Sequence, residues 1–377
     1  MGIIGCLLGF LVVIIFCYKD WSVYIATIVG AAVVMLFNWL PFAGTLTGAF
    51  VDGMFVPIKS FFFILLFGNI QAKIYSVSGA AYAIADTIMS ALLKPGASNT
   101  RKNVIAISVL LVIGIVLCMG GINASVFIVL MYPIALTIFE HCDIPKRFIL
   151  GVLGACSYTF TLTMPGSPQV TNVAAMSALG TDAAVALVPG LVGAAVEIAV
   201  IIVLLNLLIN RARARGEHFA LHPLDPHYDE NSPRPRFLVA LLPLIVLFVL
   251  FNVVGLDINI CIIISTGLSV IAFKDQLHGS SLRNLLSTGA SESIHMSMTV
   301  AAICGFAGVV TETEAFTQML NAIISIDISP MLICAIVVAV MCMLTGGSST
   351  GQLISLPLIA PKLTELGLSV GAIHRIG

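Results

Sequence analysis

The residues best equipped for chemistry lie where an apolar run breaks. The stretch Thr159-Phe160-Thr161-Leu162-Thr163-Met164-Pro165-Gly166-Ser167-Pro168-Gln169-Val170-Thr171-Asn172 interrupts a hydrophobic segment with two prolines and a glycine. Thr161, Thr163, Ser167, Gln169, Thr171 and Asn172 bring hydroxyls and amides to that break. Irregular backbone at membrane depth is tolerated only where protein or a water-filled cavity covers it. The stretch therefore reads as a re-entrant hairpin whose tip contacts a substrate, in preference to an ordinary outer loop. A second break is Gly120-Gly121-Ile122-Asn123-Ala124-Ser125, and a third is Gly346-Gly347-Ser348-Ser349-Thr350-Gly351-Gln352. Paired glycines let a helix unwind and let backbone approach a ligand, and neighbouring hydroxyls and amides can donate to a carboxylate. Close helix packing through small residues is the alternative. The predicted substrate-binding residues are Gly120, Gly121, Asn123, Ser125, Thr163, Gly166, Ser167, Gln169, Thr171, Asn172, Gly346, Gly347, Ser348, Ser349 and Thr350.

Ionisable groups inside apolar segments are costly and point to function. Glu197 sits within a long apolar run, and His295 could shuttle a proton near neutral pH. These two are the predicted proton-coupling residues. Glu292, Asp52, Asp86, Glu312 and Glu314 read as interfacial. Ser98-Asn99-Thr100 is flanked by Lys94, Pro95, Gly96, Arg101 and Lys102 and reads as a cytoplasmic turn. The nine cysteines are scattered through apolar runs without CxxC or His/Cys metal spacing. No nucleophile–base pair or phosphate loop stands out. The chain reads as a non-enzyme with no cofactor and no metal. Its formal net charge of -1 gives no hint of a nucleic-acid partner.

The elements that position these residues are membrane helices. Of 377 residues, 59% are hydrophobic and 9% charged, against about 25% charged in a soluble domain. A surface so poor in charge is covered by lipid. About 20 apolar residues span a bilayer as a helix. Candidate segments are Gly2–Cys17, Trp21–Leu40, Phe55–Tyr75, Asn103–Met119, Ile122–Phe139, Phe148–Met164 and Ala183–Leu208. Phe237–Val254, Ile258–Phe273, Ile294–Val310, Met331–Leu344 and Leu353–Ile359 follow. The fold class is thus an all-α polytopic membrane protein with about ten or eleven hydrophobic segments. Ala80–Leu93 and Thr313–Ile326 resemble interfacial amphipathic helices. The polar stretch Asn210–Arg236 contains five arginines, which places it in the cytoplasm.

The chain also repeats itself weakly. Phe67-Gly68-Asn69-Ile70, an amphipathic segment, an apolar run ending at Gly120-Gly121, Tyr132-Pro133 and Arg147 form the first copy. Cys304-Gly305-Phe306-Ala307, an amphipathic segment, an apolar run ending at Gly346-Gly347, Ala360-Pro361 and Arg375 form the second. In each copy the arginine lies fourteen residues after the proline. Two inverted repeats with re-entrant hairpins are a common plan among secondary transporters. The expected division is N-terminal helices at 1–54, repeat 1 at 55–209, a cytoplasmic loop at 210–236, connecting helices at 237–293 and repeat 2 at 294–377. In this alignment repeat 2 lacks its last hairpin and span, so the sequence is expected to be a truncated form.

On Asn123–Pro133, Thr163–Asn172 and Ile328–Pro361 the chain resembles the gluconate permease family of the ion transporter superfamily. Met164–Gln169 is similar to its hydroxybutyrate-permease branch. The resemblance implies a multi-pass protein of the bacterial inner membrane. It implies secondary transport of a small organic acid anion such as gluconate or 3-hydroxybutyrate, by proton symport, and a homodimer. A sodium/proton antiporter of the same superfamily, which would rely on Glu197, is the alternative. A non-functional truncated permease is another.

Overall fold

The computed structural model describes residues 2–92, 99–220, 222, 234–277, 279–324, 328–345 and 347–377. Ser98, Gly346, part of the Lys94–Lys102 turn and residues 221 and 223–233 of the 210–236 loop lie outside them. Every regular element among the described residues is helical. Among the described residues five helices are long and apolar enough to cross a membrane: Phe42–Val77, Thr100–Met119, Leu187–Ala214, Phe237–Val254 and Leu282–Thr311. Shorter apolar helices are Gly2–Tyr18, Val23–Asn38, Val170–Leu179, Ile258–Ala272 and Pro330–Met343. The expected all-α polytopic architecture is what the chain adopts.

Several bounds differ from expectation for physical reasons. The segment beginning at Phe55 starts at Phe42, because the chain continues through a wide i→i+5 turn at Leu46–Phe50 instead of stopping. The segment beginning at Ile294 is the second half of a 33-residue helix, Gly279–Thr311. Leu282 and Leu285 lie three residues apart on its first half and pack inward, which keeps that polar stretch helical. The Phe148–Met164 run is divided, as its composition suggests, into Ile149–Ser157 and a single turn at Phe160–Thr163.

The chain forms two compact units, each drawn from separated parts of the sequence. The first comprises Met1–Phe62, Val173–Val185 and Ser293–Gly377. Its N-terminal helices cross where Gly9 and Gly30 meet: a Cβ on either would lie within 2.9 Å of the other's carbonyl oxygen. Val34, Met35, Phe306, Val309, Ile333, Val337, Leu356 and Ile373 fill its core. A second close crossing joins Gly53 to Cys304 and Gly305 to Phe50. The Val173–Val185 segment is tied down by His374 Nδ1, 2.6 Å from the Thr181 hydroxyl. Arg375 also donates to the Val185 and Ala183 carbonyls.

The second unit comprises Phe63–Asn172 and Ala186–Glu292. Ile74, Tyr75, Ile107, Leu110, Phe127, Met131, Phe139, Phe160 and Phe273 make its core. Buried polar groups lock its helices. Tyr75 donates to the Ala240 carbonyl at 2.7 Å. Gln71 donates to Ser265, which donates in turn to the Pro243 carbonyl. Asn103 donates to Asn206 and Asn210 on the Leu187–Ala214 helix. The C-terminal carbonyls of Cys142 and Asp143 are capped by Arg213. The Asp143 carboxylate accepts from His218, which holds its pKa below the ordinary carboxylate value.

The crossing at Gly305 tolerates no side chain. A Cβ there would sit 2.8 Å from the Phe50 carbonyl oxygen, which is rigid backbone. Gly305→Ala is expected to destabilise the protein by about 1–3 kcal/mol. Gly267→Ala meets nothing within 4 Å in its helix and is expected to stabilise by about 0.5–1 kcal/mol. Thermal unfolding of both variants in detergent reads the opposite signs.

Candidate functional site

In the second unit the two breaks predicted from sequence come together. The Asn99–Met119 helix ends on the paired glycines. Gly121 has φ +92°, a left-handed conformation that glycine alone takes without strain. Its amide donates to the Cys118 carbonyl, and the Ile122 amide donates to Leu117. A Cβ at Gly120 would collide with Leu244. The chain then starts the Ala124–Cys142 helix after Asn123, whose carbonyl accepts from Phe127 N.

The second break folds against this turn. After Met164 the chain is extended, turns at Gly166 with φ +81°, and resumes helix at Val170. Gln169 joins the two breaks: its Nε2 donates to the Cys118 carbonyl at 2.7 Å and the Ile122 carbonyl at 2.8 Å. The Cys118 carbonyl, in the last turn of the helix, also accepts from the Gly121 amide, and the Ile122 carbonyl lies in the turn that follows. The remaining polar side chains close the loop on itself. Ser167 donates to the Thr161 carbonyl, Thr171 to Leu162 and Asn172 to Ser167. Ser167, Gln169, Thr171 and Asn172 are buried, whereas Thr163 is exposed and Asn123 half-buried.

Sequence reasoning missed Asn252. Its amide donates to the Gly166 carbonyl at 3.1 Å from a second wide turn, Leu250–Val254. A lone Asn in an apolar run was the available signal. Beside the breaks lies a cavity of about 560 Å³, with Met119, Gly120, Met164, Pro165, Leu244 and Phe248 among its walls. Those walls carry no charge, so it suits hydrocarbon and not an anion.

The third break lies in the first unit. The Ser348–Glu365 helix begins after Gly347, which is extended and, as a glycine, has no side chain with which to cap it. This helix start carries the positive end of the helix dipole. Ser348 is exposed, Ser349 half-buried and Thr350 buried. Thr350 accepts from the Cys304 thiol at 3.1 Å. It lines a cavity of about 240 Å³ together with Asp52, Gly53, Cys304, Thr311 and Glu312. Gly351 permits close packing of the Pro330–Thr345 helix, since a Cβ there would lie 2.6 Å from the Cys342 nitrogen.

The two predicted coupling residues lie in different units. Glu197 Oε2 is buried on the Leu187–Ala214 helix with no hydrogen-bond partner. His295 is exposed, with Nδ1 3.3 Å from the Tyr24 hydroxyl. Glu292 forms an exposed ion pair with Lys73 at 2.8 Å. Among the described residues no group of three or more His, Cys, Asp or Glu could hold a metal.

No family model matches the chain. It is 26% identical over 368 residues to the uncharacterized transporter YxjC of Bacillus subtilis (strain 168), covering 86% of this chain and 75% of that protein. Its fold is similar to that of the YdaH transporter of Alcanivorax borkumensis, whose crystal structure is described as having an unusual topology. That likeness has a TM-score of 0.53 at 12% identity and covers 88% of this chain and 74% of the other. At that identity it speaks for the fold alone. The chain is a multi-pass membrane protein with a transporter fold. Its relative is itself named a transporter, which supports a transport role and points away from an enzyme.

Gln169→Leu would remove both hydrogen bonds; the Ile122 carbonyl would lose its side-chain donor, while the Cys118 carbonyl keeps the Gly121 amide. Each unsatisfied buried acceptor costs about 1–3 kcal/mol, so a lower melting temperature is expected. Maleimide should also label the fully buried Cys118 faster in the variant than in wild type.

Proposed function

We propose that this chain is a secondary active transporter of a small organic acid anion, such as gluconate or 3-hydroxybutyrate, working by proton symport. One observation carries the reading: a buried, Pro/Gly-broken polar segment, held by Gln169 against a glycine turn, inside an all-helical membrane protein. Breaks of this kind are where secondary transporters bind cargo. The start of the Ser348–Glu365 helix supports an anion in particular, because the N–H groups and dipole of a helix N-terminus favour negative charge. In this reading the two glycine breaks belong to two inverted repeats of a gluconate permease-like protein in a bacterial inner membrane. Of the predicted glycines, Gly120, Gly121 and Gly166 mark the breaks of the second unit and Gly347 the break of the first. Ser348, Ser349 and Thr350 donate to its carboxylate.

The test is uptake of labelled 3-hydroxybutyrate or gluconate into proteoliposomes under an imposed inward proton gradient. Accumulation above the gradient-free control is expected. No accumulation of either acid sinks the substrate class.

A sodium/proton antiporter is the second reading, favoured by the unpartnered Glu197 Oε2 in an apolar span. In that case Glu197→Gln abolishes exchange of sodium against protons in the same vesicles. Sodium–proton exchange left intact in the variant removes the main support for this reading.

A further inference from the structure

The cavity of the first unit has a wall chemistry that an anion does not explain. Asp52 is exposed in the first part of the 36-residue Phe42–Val77 helix and lines this cavity. Glu312 follows directly on the Leu282–Thr311 span. Two prolines add to this. Pro57 has no N–H for the carbonyl four residues back, which is that of Gly53. Pro357 does the same to the carbonyl of Leu353. Gly53 and Leu353 are both wall residues. Thr350 is 2% exposed, and its hydroxyl oxygen accepts from Cys304. Its own proton is thus left to donate. The wide turn at Leu46–Phe50 contains the wall residue Ala49 and ends just before Asp52. Turns of this type recur at functional sites.

The titratable wall groups are Asp52, Glu312 and the Cys304 thiol, and no Lys, Arg or His lines the cavity among the described residues. Lys59 and Glu314 are near in sequence but are not wall residues. Two carboxylates, two carbonyls facing a proline in place of an N–H donor, and a hydroxyl are oxygen groups lining one cavity, the type of group that suits a small hard cation. An anion approaching the Ser348–Glu365 helix start meets like charge while both carboxylates are ionised. With a cation bound it does not.

We propose that this cavity is the coupling-cation site, in which Asp52 and Glu312 take up a small hard cation, a proton or Na+, and thereby admit the anion. The inference rests on the transport reading above. In the proton case a carboxylate oxygen accepts H+ from water on one side of the membrane and returns it to water on the other, with no other bond changed.

Two measurements on the full chain test it. In the first, the melting temperature of purified protein is compared in NaCl and choline chloride at equal ionic strength, and from pH 8 to pH 5.5. A cation that binds the native state raises it. A rise with Na+ assigns sodium, and a rise on acidification assigns the proton. In either case Asp52→Asn and Glu312→Gln should each remove at least half of the rise. In the second, the variants are reconstituted for 3-hydroxybutyrate transport. Gradient-driven accumulation should fall at least tenfold, while counterflow exchange of internal for external 3-hydroxybutyrate stays within about threefold. Wild-type-like cation effects in both variants overturn the proposal, as does gradient-driven accumulation at the wild-type level. Equal loss of accumulation and counterflow in folded protein also overturns it. If wild type accumulates no acid but the cation-dependent rise is lost in the variants, the substrate reading fails and the cation site stands. Should Asp52→Asn not fold, Glu312→Gln at its exposed position carries both tests.

Discussion

A backbone that leaves the helix inside a membrane must still satisfy its N–H and C=O groups, and this constraint organises the second unit. Hydrocarbon offers no hydrogen bonds, so every broken helix needs partners from the protein itself. Gln169 supplies two at once, to Cys118 and Ile122. The loop around it is closed by its own hydroxyls and amides, from Ser167 to Thr161 and from Asn172 to Ser167. These side chains serve first to make the break possible. A ligand at this place would meet backbone shaped by them at least as much as the side chains themselves.

Glycine and proline work differently in the two units. In the second, Gly121 and Gly166 adopt left-handed φ values that turn the chain. In the first, Gly53 and Gly305 lie in ordinary helix, and their missing side chains let two helices touch backbone to backbone. Pro57 and Pro357 then offer no N–H to carbonyls of the same cavity's wall residues, without ending their helices. The exposed apolar residues follow the same logic. Leu191, Val192, Val196, Val200 and Val203 on the Leu187–Ala214 helix are exposed because lipid is their solvent.

The membrane class and most helices were legible because apolar run length and charge scarcity report directly on the bilayer. The breaks were legible because Gly and Pro mark them in any context. Helix bounds were less so where the pattern stays helical without being apolar, as between Gly279 and Glu292. The site residues divide in the same way. Gln169 and Gly121 stand in conspicuous motifs. Asn252 is a lone amide in an apolar run, and its partner, the Gly166 carbonyl, is 86 residues away. Asp52 and Glu312 read as interfacial because each is flanked by small or polar residues. Only folding places both on one wall with Thr350. Pairing across such distances leaves no local pattern to read.

Charge decides how the first unit can handle an anion. A helix start offers about half an elementary positive charge, and the described wall of the adjoining cavity adds no basic side chain to it. Two ionised carboxylates on that wall outweigh so small an attraction, and they do so in a medium that screens poorly. The balance reverses when they are neutralised, because protonated carboxyls can donate hydrogen bonds and a bound cation adds attraction. A fixed arginine would hold the anion whether or not a cation were present. Carboxylates make anion binding conditional on the cation, and that conditionality is what coupled transport requires.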